Sequence, residues 1–169
     1  MRVDDVDHVS RYVSCTKHKG VTTGPAPIQG YPPPAQPWDL VSMDLLQLPK
    51  CCQGSQYLLV CVVHFSRFVI LSAVKTKTAL AIAHVLVTHL FCSYTTPRVL
   101  LSDNGKKFRN ALLMEICAKY SIKPTFTVAY HPRSNGLVKR EIRKILQALR
   151  HVVTSLHDNW DDWIPQVVV

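Results

Sequence analysis

The chain has 169 residues, 47% of them hydrophobic and 18% charged, which suits one packed domain and excludes a disordered or low-complexity protein. No apolar run reaches the roughly 18 residues needed to cross a bilayer, and the polar, acidic start MRVDDVDHVSRYV does not read as a signal peptide. A formal charge of +9 suits a polyanionic partner, and the excess is concentrated: Val41 to His157 holds sixteen Lys and Arg against only Asp44, Asp103, Glu115 and Glu141.

In chain order, residues 1–23 are polar and contain Cys15-Thr-Lys-His18. Residues 24–37, GPAPIQGYPPPAQP, hold six of the eleven prolines and read as an extended linker, because proline fixes φ and removes a backbone donor. From 38 onward the pattern becomes that of a folded core running to 169. WDLVSMDLL around Asp44 reads as a strand. YLLVCVVHF, Tyr57 to Phe65, is nearly all apolar and predicts a buried central strand. Phe68 to Val74 follows a short Ser66-Arg67 turn, completing an antiparallel meander. A helix starts near Thr78, its N-cap, and its apolar stripe reaches Phe91. Arg98 to Asp103 is a short strand, Asn110 to Tyr120 a second helix, and Lys123 to Ala129 a fifth strand. A third helix, Ser134 to Leu156, carries Val138, Ile142, Ile145, Leu149, Val152 and Leu156 at steps of 4 and 3. The order β-β-β-α-β-α-β-α predicts an α/β fold. Its mixed five-stranded sheet has three antiparallel strands followed by parallel additions, with helices on its faces.

The cysteines do not form a disulfide pattern. Cys61 falls in a strand-like run, Cys117 in a helix-like one, and Cys51–Cys52 are adjacent, which reads as an intracellular protein with mostly buried thiols. Cys15 and His18 have zinc-ligand spacing but supply only half of a four-ligand site, with His8 as a candidate third ligand, so Zn²⁺ is not expected.

Asp44 lies mid-strand and Asp103 at a strand's C-terminal end, where open α/β sheets place ligands. Two carboxylates on adjacent strands can hold a divalent metal through oxygen ligands, and a metal pair can drive phosphodiester chemistry. The same residues also fit an exposed strand position and an ordinary Asp-Asn-Gly turn. Asn104-Gly105 permits close backbone approach to a phosphate. Lys106, Lys107 and Arg109 lie beside it. On the third helix Lys139, Arg143 and Arg150 share one side, with Arg140 and Lys144 further round, a stripe able to track phosphates. His64 reads as a core or sheet-face histidine, and Trp38, Trp160 and Trp163 as packing residues.

Three segments carry a resemblance. PWDLVSMDLLQL (37–48), RVLLSDNGKKF ending at Phe108, and AYHPRSNGLVKR ending at Arg140 resemble, in order, the three catalytic segments of retroviral-type integrases, closest to those of gypsy-type LTR retrotransposons. DDVDHVSRYVSCTKHKG resembles the end of that family's zinc-binding segment, and NWDDWIPQVVV the start of its later helix. Residues 1–23 are therefore expected to be a remnant of the zinc-binding segment, and 38–169 a catalytic core truncated at its C-terminal end. The resemblance implies an RNase H-like fold, Mg²⁺- or Mn²⁺-dependent DNA strand transfer, a DNA partner, no membrane association, a homodimer or higher multimer, and a nuclear location. It also places His131, Ser134 and Asn135 in a loop beside the active site.

Asp44 and Asp103 correspond to the first two members of the family's Asp-Asp-Glu triad. The usual thirty-five intervening residues end at position 139, which is Lys139 rather than Glu. Glu141 lies about 200° round the helix from Lys139 and cannot replace it; it is placed to pair with Lys144. A unit pair 4 Å apart is worth roughly 4 kcal/mol at an effective dielectric of about 20, so the exchange should weaken metal binding strongly. The expectation is a DNA-binding integrase core, catalytically impaired, with the Lys139 ammonium paired to Asp44 and Asp103. The alternative is a domesticated or relic module that binds DNA or protein without catalysis.

Overall fold

The computed structural model describes residues 33–127, 136–152 and 159–167. β1 (Leu40–Gln47), β2 (Tyr57–Val63) and β3 (Val69–Val74) form the antiparallel meander. β4 (Val99–Ser102) pairs parallel with β1, and β5 (Lys123–Phe126) parallel with β4, so the sheet order is β3-β2-β1-β4-β5. This is the mixed five-stranded sheet the residue pattern predicts. Arg67 takes φ 65° in the turn between β2 and β3.

Alternation along β1 divides the sheet's two faces. Val41 and Met43 pack with Leu59, Cys61 and Leu100 beneath α1 (Ala79–Val85) and α2 (Ala111–Lys119). Leu58, Val60 and Val62 of β2 pack on the opposite face with Leu71, against Val138, Ile145 and Leu149 of α3 (Gly136–Val152) and Trp160. β2 is thus buried on both faces, as its all-apolar sequence requires. Ser42 and Asp44 project to the α3 face.

The helix termini follow local chemistry. The Thr78 hydroxyl accepts from the Ala81 N–H at 3.3 Å, and the Asn110 side chain accepts from the Leu113 N–H at 3.0 Å. α1 continues as a π-helical segment over Leu86–Phe91, where the Thr88 hydroxyl donates to the His84 carbonyl and the Cys92 N–H reaches back to Val87. The fifth strand is shorter than predicted. It ends at Phe126, and one further ladder bond runs from the Thr127 N–H to the Ser102 carbonyl.

Residues 159–167 dock on the β1–β2 turn and end in the one-turn helix α4 (Ile164–Val167). The Trp160 indole donates to the Pro49 carbonyl at 2.7 Å, the Cys51 thiol to Asp161, and the Gln53 amide to Asp162. Trp160 is therefore a packing residue, as is Trp38, partly buried with its ring 5.8 Å from that of Tyr94. Burial pushes the Cys61 thiol up to about 12 and the Cys117 thiol up to about 11, so neither is a thiolate at neutral pH. No described helix is long and apolar enough to cross a membrane.

Phe108 is fully buried between the β4–α2 loop and the core. Phe108→Ala is expected to cost about 3–5 kcal/mol, measured as a lowered urea midpoint.

Candidate functional site

The parallel register sets the site. Leu40 pairs with Val99, Val41 with Leu100 and Ser42 with Leu101. Continued two residues, that register brings Asp44 level with Asp103, immediately after β4. Neighbouring strands lie about 4.8 Å apart, so the two carboxylates come from adjacent backbones. On the other side Asp44 pairs with Val60 of the apolar β2.

Asp44 is half-buried. Burial raises its carboxyl above the ordinary carboxylate value, and the Asp103 charge adds to that rise. The Leu45 N–H, donating to Asp44 Oδ1 at 2.8 Å, and the charges of Lys107 and Lys139 oppose it. Asp103 is held at both oxygens. Its Oδ1 accepts from the Gly105 N–H at 2.8 Å, and its Oδ2 lies 3.0 Å from Lys107 Nζ. A Cβ on Gly105 would stand 2.8 Å from that Oδ1, so glycine here makes room for the carboxylate rather than for an unusual φ.

Lys107 also lies 5.0 Å from the centre of the Phe108 ring. Arg109 donates to the Asn104 side chain at 3.0 Å and lies 5.7 Å from the Phe126 ring centre. Lys106 and Arg109 are exposed beside the carboxylates.

α3 crosses over β1 and β2 with Val138, Ile145 and Leu149 inward. Lys139, Arg140, Arg143 and Lys144 are exposed. Among the described residues no ion pair joins Lys139 to Asp44 or Asp103; the cation on Asp103 is Lys107. The expected pairing of the Lys139 ammonium with both aspartates is corrected on this point. Lys139 acts on Asp44 only through space, because the inward positions of α3 go to its apolar stripe and leave position 139 at the flank. Glu141, on the opposite flank, pairs with Lys144 at 3.0 Å as the spacing predicts.

Two neighbours were not read from sequence as a pair: buried Ser42, on the Asp44 face, is hydrogen-bonded to His64 Nε2. Period-two alternation is the signal for Ser42; His64 adjoins the end of β2, opposite Leu40. Burial, with Arg67 nearby, pushes the His64 imidazole down to about 4, so it is neutral at neutral pH. Cys15, His18, His131, Ser134 and Asn135 lie outside the described residues.

Among the described residues no group of three or more His, Cys, Asp or Glu side chains is placed to hold a metal ion. Asp44 and Asp103 are hard oxygen donors and fit one divalent cation of the Mg²⁺ class. No described carboxylate stands at the third corner.

The model of the integrase core domain family matches residues 34–132, more than half of the chain. That match covers Asp44 and Asp103 and stops before Lys139. The chain is 22% identical over 136 residues, 80% of its length, to the retrovirus-related Pol polyprotein from transposon 412 of Drosophila melanogaster. It is 26% identical over 163 residues, 95% of its length, to the transposon Tf2-3 polyprotein of Schizosaccharomyces pombe. It spans only 11% and 12% of those two polyproteins. Among solved structures, the catalytic core domain of BIV integrase is similar at 26% identity and a TM-score of 0.57, covering 73% of this chain and 78% of that one. The fold is also shared with a chain of the simian T-cell lymphotropic virus intasome, solved in complex with the PP2A regulatory subunit B56 gamma. There the TM-score is 0.68 at 21% identity, covering 88% of this chain and 52% of that one.

Two pH effects follow. Asp44 binds its proton more tightly in the folded chain than in the unfolded one, so it costs stability as pH rises above its ordinary value of 3.8. Asp44→Asn keeps the acceptor for the Leu45 N–H and removes the charge. It should melt higher than the natural protein at neutral pH, with the gap closing below about pH 3.8. His64 has the opposite sign. Its contribution is complete above 6.5 and is lost as pH falls toward 4, and His64→Gln should flatten the melting temperature over that interval.

Proposed function

The chain belongs to the integrase core domain family, and on that premise we propose that it is a DNA-binding integrase core of a retroelement whose strand-transfer centre is impaired. The observation that carries this reading is the site's charge. Two level aspartates are flanked by Lys107 and Lys139, and no described carboxylate completes the triad.

The resident cofactor implied by the family is a divalent metal, and Asp44 and Asp103 are the residues that would hold it. When bound, such an ion activates a water or hydroxyl and stabilises the leaving oxygen of a phosphodiester. The Gly105 N–H aims Asp103, and the Leu45 N–H aims Asp44. Lys106, Arg109, Arg140, Arg143 and Lys144 are exposed cations able to neutralise backbone phosphates on either side of the pair. Lys139 adds to that field and subtracts from the metal site. The same charge that weakens a dication strengthens a polyanion, which favours binding over catalysis. Assembly with further copies of the chain and a nuclear location belong to this proposal through its DNA partner.

Double-stranded DNA should bind without strong sequence preference, with log affinity falling linearly against log salt at a slope near −0.9 per phosphate neutralised. A fluorescence anisotropy series in KCl measures the slope; affinity that ignores salt, or no binding, refutes the reading. Lys139→Glu should raise Mn²⁺ affinity at least about tenfold by calorimetry, since it exchanges repulsion for attraction beside the pair. A metal-dependent nicking assay on the same two proteins completes the test. Equal activity in both would remove the argument from position 139.

A further inference from the structure

The cation at Asp103 is Lys107, a residue the family's triad does not include. Its ammonium lies 3.0 Å from Asp103 Oδ2 and 5.0 Å from the centre of the Phe108 ring. The other carboxylate oxygen is already taken by the Gly105 N–H. Oδ2 is the oxygen on which Lys107 stands, so a cation approaching Asp103 there meets the ammonium first. Phe108 is fully buried and fixes the backbone from which Lys107 reaches. The ion pair is only partly shielded, with 26% of the Lys107 side chain and 40% of the Asp103 side chain exposed. Partly exposed pairs of this kind are worth on the order of 1 kcal/mol, so a divalent ion can displace the ammonium.

We propose that Lys107 is an internal counter-ion that competes with divalent metal for Asp103 and, when displaced, becomes a phosphate contact beside the site. Metal binding and DNA-backbone binding are then positively coupled through one side chain: the metal takes Oδ2, the ammonium leaves it, and the freed charge meets the phosphate. The exchange moves no proton and breaks no covalent bond. The inference rests on the reading above that Asp44 and Asp103 hold a single divalent ion.

Calorimetric titration of the full chain with MnCl₂ tests the competition. Lys107→Met, which keeps length and apolar packing without charge, should bind Mn²⁺ about three- to tenfold more tightly than the natural chain. Lys107→Gln should move the same way, and Lys107→Arg should stay near the natural value; thermal melts establish that each variant is folded. The coupling is read by anisotropy on a labelled duplex across a KCl series. Without Mn²⁺ the natural chain and Lys107→Met should share one salt slope. With Mn²⁺ the natural chain's slope should exceed that of Lys107→Met by about 0.9, one phosphate contact. Comparing the two proteins in one buffer cancels the metal's own screening of the duplex.

Equal Mn²⁺ affinity for the natural chain and Lys107→Met, or slopes that stay together in Mn²⁺, overturns the proposal. Lys139→Glu separates the two readings. If it gains affinity and Lys107→Met does not, Lys107 is no competitor and the metal-site reading stands. If neither gains, both readings fall.

Discussion

The structure depends on one pairing, the parallel register that sets β4 beside β1. Because Leu40 faces Val99, Asp44 must come level with Asp103. Two carboxylates on neighbouring strands, one of them half-buried beside an apolar β2, repel one another and lose hydration. The raised proton affinity of Asp44 expresses that cost. The neighbourhood is arranged around it. Two backbone N–H groups donate to the pair, Gly105 is small enough to let its own N–H approach, and two lysines supply positive charge.

The lysines decide what the pair can do. A site built for divalent metal gathers negative charge and leaves compensation to the ion. Here compensation is already partly present in the chain, from Lys107 by contact and Lys139 through space. Around the two carboxylates the side chains of Lys106, Arg109, Arg140 and Arg143 are exposed cations, and Lys144 is exposed as well, paired with Glu141. The proposal of a DNA-binding core with an impaired centre rests on that balance of charge.

Much of the fold was legible in the residue pattern. The unbroken apolar run of β2 announced a strand covered on both faces, and both hydrophobic clusters draw on it. Thr78 and Asn110 marked helix starts that their side chains do cap. The 4-3 stripe of α3 correctly turned Val138, Ile145 and Leu149 inward, and the same arithmetic put Glu141 with Lys144. The π-helical end of α1 and the docking of Trp160, Asp161 and Asp162 on the β1–β2 turn were not legible. One depends on a hydroxyl competing for a carbonyl, the others on contacts across more than a hundred residues.

By itself the sequence determined the order of the elements, the face each presents and the two aspartates worth attention, and its resemblance to the family implied that Lys139 stands in the slot of the triad's Glu. These follow from short-range periodicity and from residue identity at a spacing. Only the tertiary structure decided which cation reaches which carboxylate. Sequence spacing pointed to Lys139, whose helix spends its inward positions on apolar packing. The loop after β4 instead brings Lys107 onto Asp103, with the Gly105 N–H on the other carboxylate oxygen and Phe108, the next residue, buried. An ion pair is settled by where long side chains end once the backbone has packed, and nothing in a residue's position along the chain encodes that endpoint.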